Sequence, residues 1–217
     1  MQMKNSACIH TIFCAAFAAL LLFITASCNN SNQKAEEEQT ITDDSLQVVN
    51  SIITEDSAII INNKADEWIG QSLKNYNGDW KKFRLMEFWN EDSLQANPYE
   101  ATSEFYETYH DLLKWSPDSS YILDLGTNGA TVIKDKDGKS HLENGDIDTE
   151  ISLLNPKAKT KSRILFFGSA AAVINARWID STRVAILGTN NEKPDQHPDT
   201  LLWIIDAKEK FFRKYKW

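Results

Sequence analysis

The sequence predicts a mainly β protein. Two blade-like antiparallel repeats, at about residues 112–177 and 178–217, follow an N-terminal α/β segment that contains one amphipathic helix at about 64–76. Three observations carry this prediction. The stretch WSPDSSYILDLGTN at Trp115–Asn128 returns, one residue shorter, as WIDSTRVAILGTN at Trp178–Asn190. After each copy an Asp-Thr pair opens an apolar run, Asp148–Asn155 and Asp199–Asp206. Upstream, Ala65, Trp68, Ile69, Leu73 and Tyr76 recur at helical spacing and form one apolar stripe.

Composition bounds what the chain can be. At 217 residues it has room for one domain with a tail. A hydrophobic content of 42% is enough to build a core, so the chain as a whole is not disordered. A net charge of −8 opposes nucleic-acid binding, which needs cations to neutralise phosphates. The three cysteines, Cys8, Cys14 and Cys28, all fall in the first 28 residues. A disulfide framework, thiolate metal sites and a cysteine nucleophile are therefore excluded from the body of the chain.

The chain divides into residues 1–27, 28–45 and 46–217. Lys4 supplies a positive start, Ile9–Ile24 is uncharged and apolar, and Thr25-Ala26-Ser27 places small residues before Cys28. This order resembles a bacterial lipoprotein signal, which implies removal of residues 1–27 and lipidation of Cys28 as the new N-terminus. The same apolar run can also be read as an uncleaved membrane anchor or an ordinary signal peptide. Only the lipoprotein reading gives Cys28 a role. Residues 28–45 are polar, with little to bury, and form a flexible acidic tether. Within it Lys34, Glu36, Glu37 and Glu38 are similar to the acidic export signal that some Gram-negative lipoproteins carry just after the cysteine; a solvated linker is the alternative.

Residues 46–217 are expected to fold as one globular domain. Val48-Val49 with Ile52-Ile53, and Ile59–Ile61, are β-branched clusters on either side of Glu55-Asp56-Ser57, which suggests two strands and a turn. Asn63 is placed to cap the amphipathic helix, and Asn77-Gly78 to end it. Trp80–Trp89 reads as a strand, and Tyr99–Leu113 suits helix or strand equally. Aromatic residues are dense from Trp68 to Tyr109, which fits a core; a platform for glycan or protein is the alternative.

In the first repeat the strand-loop-strand-turn-strand order runs through Tyr121–Leu125, Asp148–Asn155 and Arg163–Phe167; in the second, through Arg183–Leu187, Asp199–Asp206 and Phe211–Trp217. The first copy is longer between Asn128 and Asp148, where Ala130–Asp135 and Lys139–Leu142 flank Asp137-Gly138 as a hairpin. Trp115, Asp118, Trp178 and Asp180 are the anchors of the repeat, with the two tryptophans expected as equivalent core residues. Trp115-Ser116-Pro117-Asp118, together with Leu153–Lys157 and Ile204–Lys208, resembles the blades of WD40-like and TolB-type β-propellers, with Ser119 where the family has Gly. Two blades cannot close a ring that needs about 4–8, so a closed propeller from a single chain is not expected. The basic residues Lys208, Lys210, Arg213, Lys214 and Lys216 would then guard an edge strand by repulsion, or meet an acidic partner surface.

No nucleophile elbow, zinc-protease helix, phosphate loop or dinucleotide fingerprint is present. Asp135–Gly138 has its Gly fourth, whereas a calcium-binding EF loop needs it sixth. His110, His141 and His197 lack metal-ligand spacing. No catalytic residue, metal or cofactor is assigned. These features predict a lipid-anchored binding or scaffold module of the cell envelope, at the outer membrane, with an envelope protein or glycan as partner. A hydrolase using a carboxylate pair on glycan or peptide is the alternative.

Overall fold

The computed structural model describes residues 43–74, 79–137, 140–191 and 197–217. The signal segment, Cys28 and the acidic run at Lys34–Glu38 lie outside the described residues, as do Asn77 and Gly78. Asp43–Trp217 forms one compact unit.

The unit opens with a helical hairpin. Helix α1, Asp43–Asn62, replaces the two strands expected there. Val49, Ile52, Ile53, Asp56, Ile59 and Ile60 follow helical spacing, and Ile52, Asp56, Ile59 and Ile60 are buried on one side. The Glu55-Asp56-Ser57 group suggested a turn only because its acids interrupt the isoleucines. The hydroxyls of Thr54 and Ser57 donate to carbonyls four residues back, which lets both residues sit inside the helix. Asn63 closes α1, donating from Nδ2 to the Ile59 carbonyl, and does not open the next helix. Lys64 takes the left-handed conformation at φ 53° and begins α2, Ala65–Ser72, with Asp66 and Glu67 in its first turn, where acids suit the helix dipole.

Each repeat forms a four-stranded antiparallel meander. The first runs β3 (Leu113–Trp115), β4 (Ile122–Asp124), β7 (Thr149–Asn155) and β8 (Thr160–Phe167), with the hairpin β5 (Ala130–Lys134) and β6 (Ser140–Asn144) inserted after β4 as expected. The second runs β9 (Ala171–Trp178), β10 (Arg183–Asn190), β11 (Asp199–Asp206) and β12 (Phe211–Lys216). The N-terminal segment adds a fifth strand to each. β1, Arg84–Asn90, pairs with β12, and β2, Asn97–Pro98, pairs with β8.

The meanders end on matching turns. Asn155 Oδ1 accepts the Ala158 N–H, and Asp206 Oδ1 accepts those of Lys208 and Glu209. Lys159 and Lys210 then take the same left-handed conformation, at φ 52° and 53°. The carbonyls of these two lysines accept from the residue that follows each added strand, Tyr99 N–H at 2.8 Å and Glu91 N–H at 2.9 Å.

The two sheets pack face to face, and period-two alternation sets the layers. Val184, Ile186, Trp203, Ile205 and Phe212 meet Leu123, Ile151, Leu153 and Phe167 between the sheets. On the other side of the second sheet, Ala185, Leu187, Leu202, Ile204 and Tyr215 meet Ile59, Ile60, Trp68 and Ile69 of the helices. On the outer face of the first sheet, Ile122 and Leu154 meet Tyr99, Phe105, Tyr106 and Tyr109, carried largely by helix α3, Ser103–Thr108. The aromatic residues from Trp68 to Tyr109 thus go mainly into two separate cores.

β12 is internal, lying between β1 and β11, so its basic residues do not guard an edge. Each is paired: Lys214 with Glu87 at 3.2 Å, Lys216 with Asp199 at 2.7 Å, and buried Arg213 with Asp56 at 3.2 Å and Glu55 at 3.3 Å. Tyr215 donates its hydroxyl to Asp56. This cluster fastens α1 to the sheet. Burial pushes the Asp56 carboxyl up to about 6, against the opposing pull of Arg213 and of the Tyr215 hydroxyl.

Two outcomes follow. Arg213→Met leaves the Asp56 carboxyl buried without its cation and is expected to cost about 3–5 kcal/mol in urea denaturation. A carboxyl whose folded pKa is raised binds its proton more tightly in the native state, so its contribution is full below the unfolded value of 3.8 and is lost as pH rises through about 6. The stability of the native chain relative to Asp56→Asn should therefore fall between pH 4 and pH 7; a rise would contradict it.

Candidate polar cleft

The two copies of Leu-Gly-Thr-Asn have the same residues and different structures. The preceding residue decides which. Asp124 ends β4, and its Oδ1 accepts the N–H groups of Gly126 (3.1 Å) and Thr127 (2.8 Å) while Oδ2 accepts the Thr127 hydroxyl (2.6 Å). The chain turns there, with Gly126 at φ +111°. The corresponding residue in the second copy is Ile186, which offers no acceptor, and β10 runs on to Asn190. Gly188 is then needed for packing, because a Cβ there would stand 2.8 Å from the Ala172 carbonyl oxygen and 3.1 Å from the Trp203 ring. Gly-Thr-Asn is therefore a strand-end turn in the first copy and part of a strand in the second.

The anchors diverge in the same way. Trp178 is buried at 7% exposure, donates Nε1 to the Lys114 carbonyl at 2.7 Å and stacks on Tyr121. Trp115 is 46% exposed and leans on Tyr106, so the tryptophans are not equivalent core residues. Asp118 and Asp180 do share a role. Asp118 accepts from Ser116 and Ser120, Asp180 from the backbone of Thr182 and Arg183, and each shapes the turn between the first two strands of its meander. Hydrogen bonds from Ser120 hold the Asp118 carboxyl below its ordinary range. For Asp180, partial burial works the other way, and hydrogen bonds from Thr182 and Arg183 outweigh it, again holding the carboxyl low.

Asp124 anchors a second chain of contacts, directed outward. Lys161, on β8, reaches its Oδ2 at 2.8 Å, reaches Asn128 Oδ1 at 3.0 Å, and lies 5.4 Å from the centre of the Tyr99 ring. Asn128 donates to Glu150 Oε1 at 2.8 Å, Ser152 donates to the same oxygen at 2.8 Å, and Arg163 stands 3.9 Å from Oε2. Of these groups Tyr99, Asn128, Glu150, Lys161 and Arg163 line a cleft of about 850 Å³, with Asp124 and Ser152 behind them. Its far wall is the β1–β2 connection, with Glu91, Ser93, Leu94, Gln95 and Asn97. Glu91 is held by the Trp89 indole N–H at 3.2 Å and by the Ser93 hydroxyl.

The sequence did not single out Asp124, Asn128, Glu150, Lys161 or Arg163 as site residues. A signal was present. Asp124 is a charge inside the apolar strand Tyr121–Leu125, and a buried charge requires a partner. Lys161 and Arg163, two apart on one strand, share a face by alternation.

His110, His141 and His197 do not line the cleft. His141, on the inserted hairpin, lies 3.0 Å from Glu143 and 3.4 Å from Asp135; the hydrogen bond to Glu143, and the nearby Asp135 charge, push its pKa up. Among the described residues no cluster of His, Cys, Asp and Glu has the arrangement of a metal site. No described helix is long and apolar enough to cross a membrane. No family model, curated protein or solved structure matches this chain.

Replacing Asp124 by Ala removes the acceptor for the turn and strands the ammonium of Lys161, which is only 12% exposed. A loss of about 3–5 kcal/mol in chemical denaturation is expected. The double variant Asp124→Ala with Lys161→Met should recover part of it, because the unpaired charge is then gone; no recovery would contradict the account of this pair.

Proposed function

We propose that the chain is a lipid-anchored binding module of the cell envelope whose recognition surface is the cleft between β8 and the β1–β2 connection. The anchoring half of the proposal rests on the signal-like order of Lys4, the apolar run and Cys28. The binding half rests on one observation. Lys161, Asn128, Glu150 and Arg163 line the cleft as one continuous series of hydrogen bonds and ion pairs anchored on buried Asp124, held on a sheet packed on both faces, while the cleft itself is open. Polar groups fixed in this way need little reordering when a ligand arrives.

The carboxylates favour binding over hydrolysis. Glu150 already accepts from Asn128 and Ser152, and Glu91 from Trp89 and Ser93, so both are committed to neighbours. The partner is an envelope protein or glycan, and the acidic run after Cys28 fits export to the cell surface.

Cys28→Ala should move the chain from the membrane fraction to the soluble fraction of fractionated cells. Retention in the membrane would contradict lipid anchoring and make the apolar run Ile9–Ala26 a membrane span. A photo-crosslinker at Gln95, on the wall of the cleft, should capture an envelope component in intact cells, and one placed at Ile147, which is exposed and outside the cleft, should not.

A further inference from the structure

The two meanders are built alike but finished differently. β1 pairs with all six residues of β12. β2 pairs only with Thr160 and Lys161 of the equivalent strand β8, which leaves the outer edge of Ser162–Phe167 without a neighbouring strand among the described residues. Arg163 is the fourth residue after the left-handed Lys159, and Lys214 is the fourth after the left-handed Lys210. Lys214 meets the Glu87 carboxylate of the strand beside it at 3.2 Å. Arg163 has the same place on β8, is 63% exposed, and has no such strand beside it.

A β-bulge lies within β8, between the partners of Ile151 and Ser152. The extra residue puts Arg163 and Phe166 on the same outward face, with the guanidinium 5.8 Å from the ring centre, and Phe166 is 58% exposed. The cleft opens along this edge, with Ile164 and Arg163 on one side and Leu94 and Gln95 on the other.

We infer that this vacant place takes an extended peptide segment of a partner protein, added antiparallel to β8 as β1 is added to β12, with an acidic side chain opposite Arg163 and an apolar one beside Phe166. The free N–H and C=O groups of the edge supply backbone bonds, and the flanking side chains supply selectivity. The inference rests on the cleft as a binding surface, but not on lipid anchoring, so a failure of Cys28→Ala to leave the membrane would not touch it.

The test uses the full chain in detergent micelles and two pools of capped heptapeptides. Both pools have β-branched residues at alternate positions; one has Glu at the centre and the other Lys. The Glu pool should bind at least tenfold more tightly, and binding should slow amide hydrogen exchange across Ser162–Phe167. Arg163→Glu should invert the preference and Arg163→Gln should abolish it, with native circular dichroism in both. Equal binding of the two pools, binding without protection of this edge, or no binding at millimolar peptide would overturn the inference. So would a chain that sediments as a dimer with Ser162–Phe167 already protected, since a second copy would then fill the place.

Discussion

A β-meander cannot end without leaving a row of backbone N–H and C=O groups on its last strand, and the rest of this fold follows from how that is handled. Two repeats produce two such edges, on β8 and β12. The segment before the repeats covers one fully and the other only at its start. It lays β1 along the whole of β12, crosses between the sheets through residues 91–96, and lays β2 against the start of β8. The left-handed lysine in each final turn receives the strand in the same way, through its carbonyl. The crossing is also what makes the cleft, because the connection leaves the edge of β8 uncovered as it passes.

Buried charge lies on the outer face of each sheet of this sandwich. On one side Asp56 of α1 meets Arg213 and Tyr215; on the other Asp124 meets Lys161. The two pairs do different things. The first is closed in beneath a helix, and burial outweighs the nearby cation in setting the Asp56 carboxyl. The second lies behind the open cleft and passes its contacts on through Asn128 and Glu150 to an exposed arginine. Structure and recognition thus divide between opposite faces of one sandwich, and a variant that damages one face need not reach the other.

Much of the β architecture was legible in the sequence, because the repeat gave the last three strands of each meander and the inserted hairpin directly, though not the first strand of each, β3 and β9. The misreadings have local physical causes. Around Asp56, β-branched residues favour a strand, yet the burial of Ile52, Asp56, Ile59 and Ile60 on one side needs the helical period. The basic residues of β12 suggest a defended edge, and only the distant strand β1 shows that the position is interior. Asn63 serves the helix before it and not the one after, a choice made by the left-handed Lys64. The cleft was hidden for a similar reason. Its residues come from β1–β2, the turn after β4, β7 and β8, which no spacing along the chain brings together. One difference between the repeats, Asp124 against Ile186, separates a turn that faces the cleft from a strand that continues through the core.

The central claim, that equivalent strands are covered to unequal length, is tested most directly by native-state hydrogen exchange of the unliganded chain, resolved residue by residue. The amides of Phe211–Lys216 should exchange only through large-scale unfolding, since β1 and β11 flank the whole strand. The amides of Ser162–Phe167 that do not bond to β7 should exchange far faster, while those of Thr160 and Lys161 stay slow. Uniform protection along β8, equal to that of β12, would contradict the account.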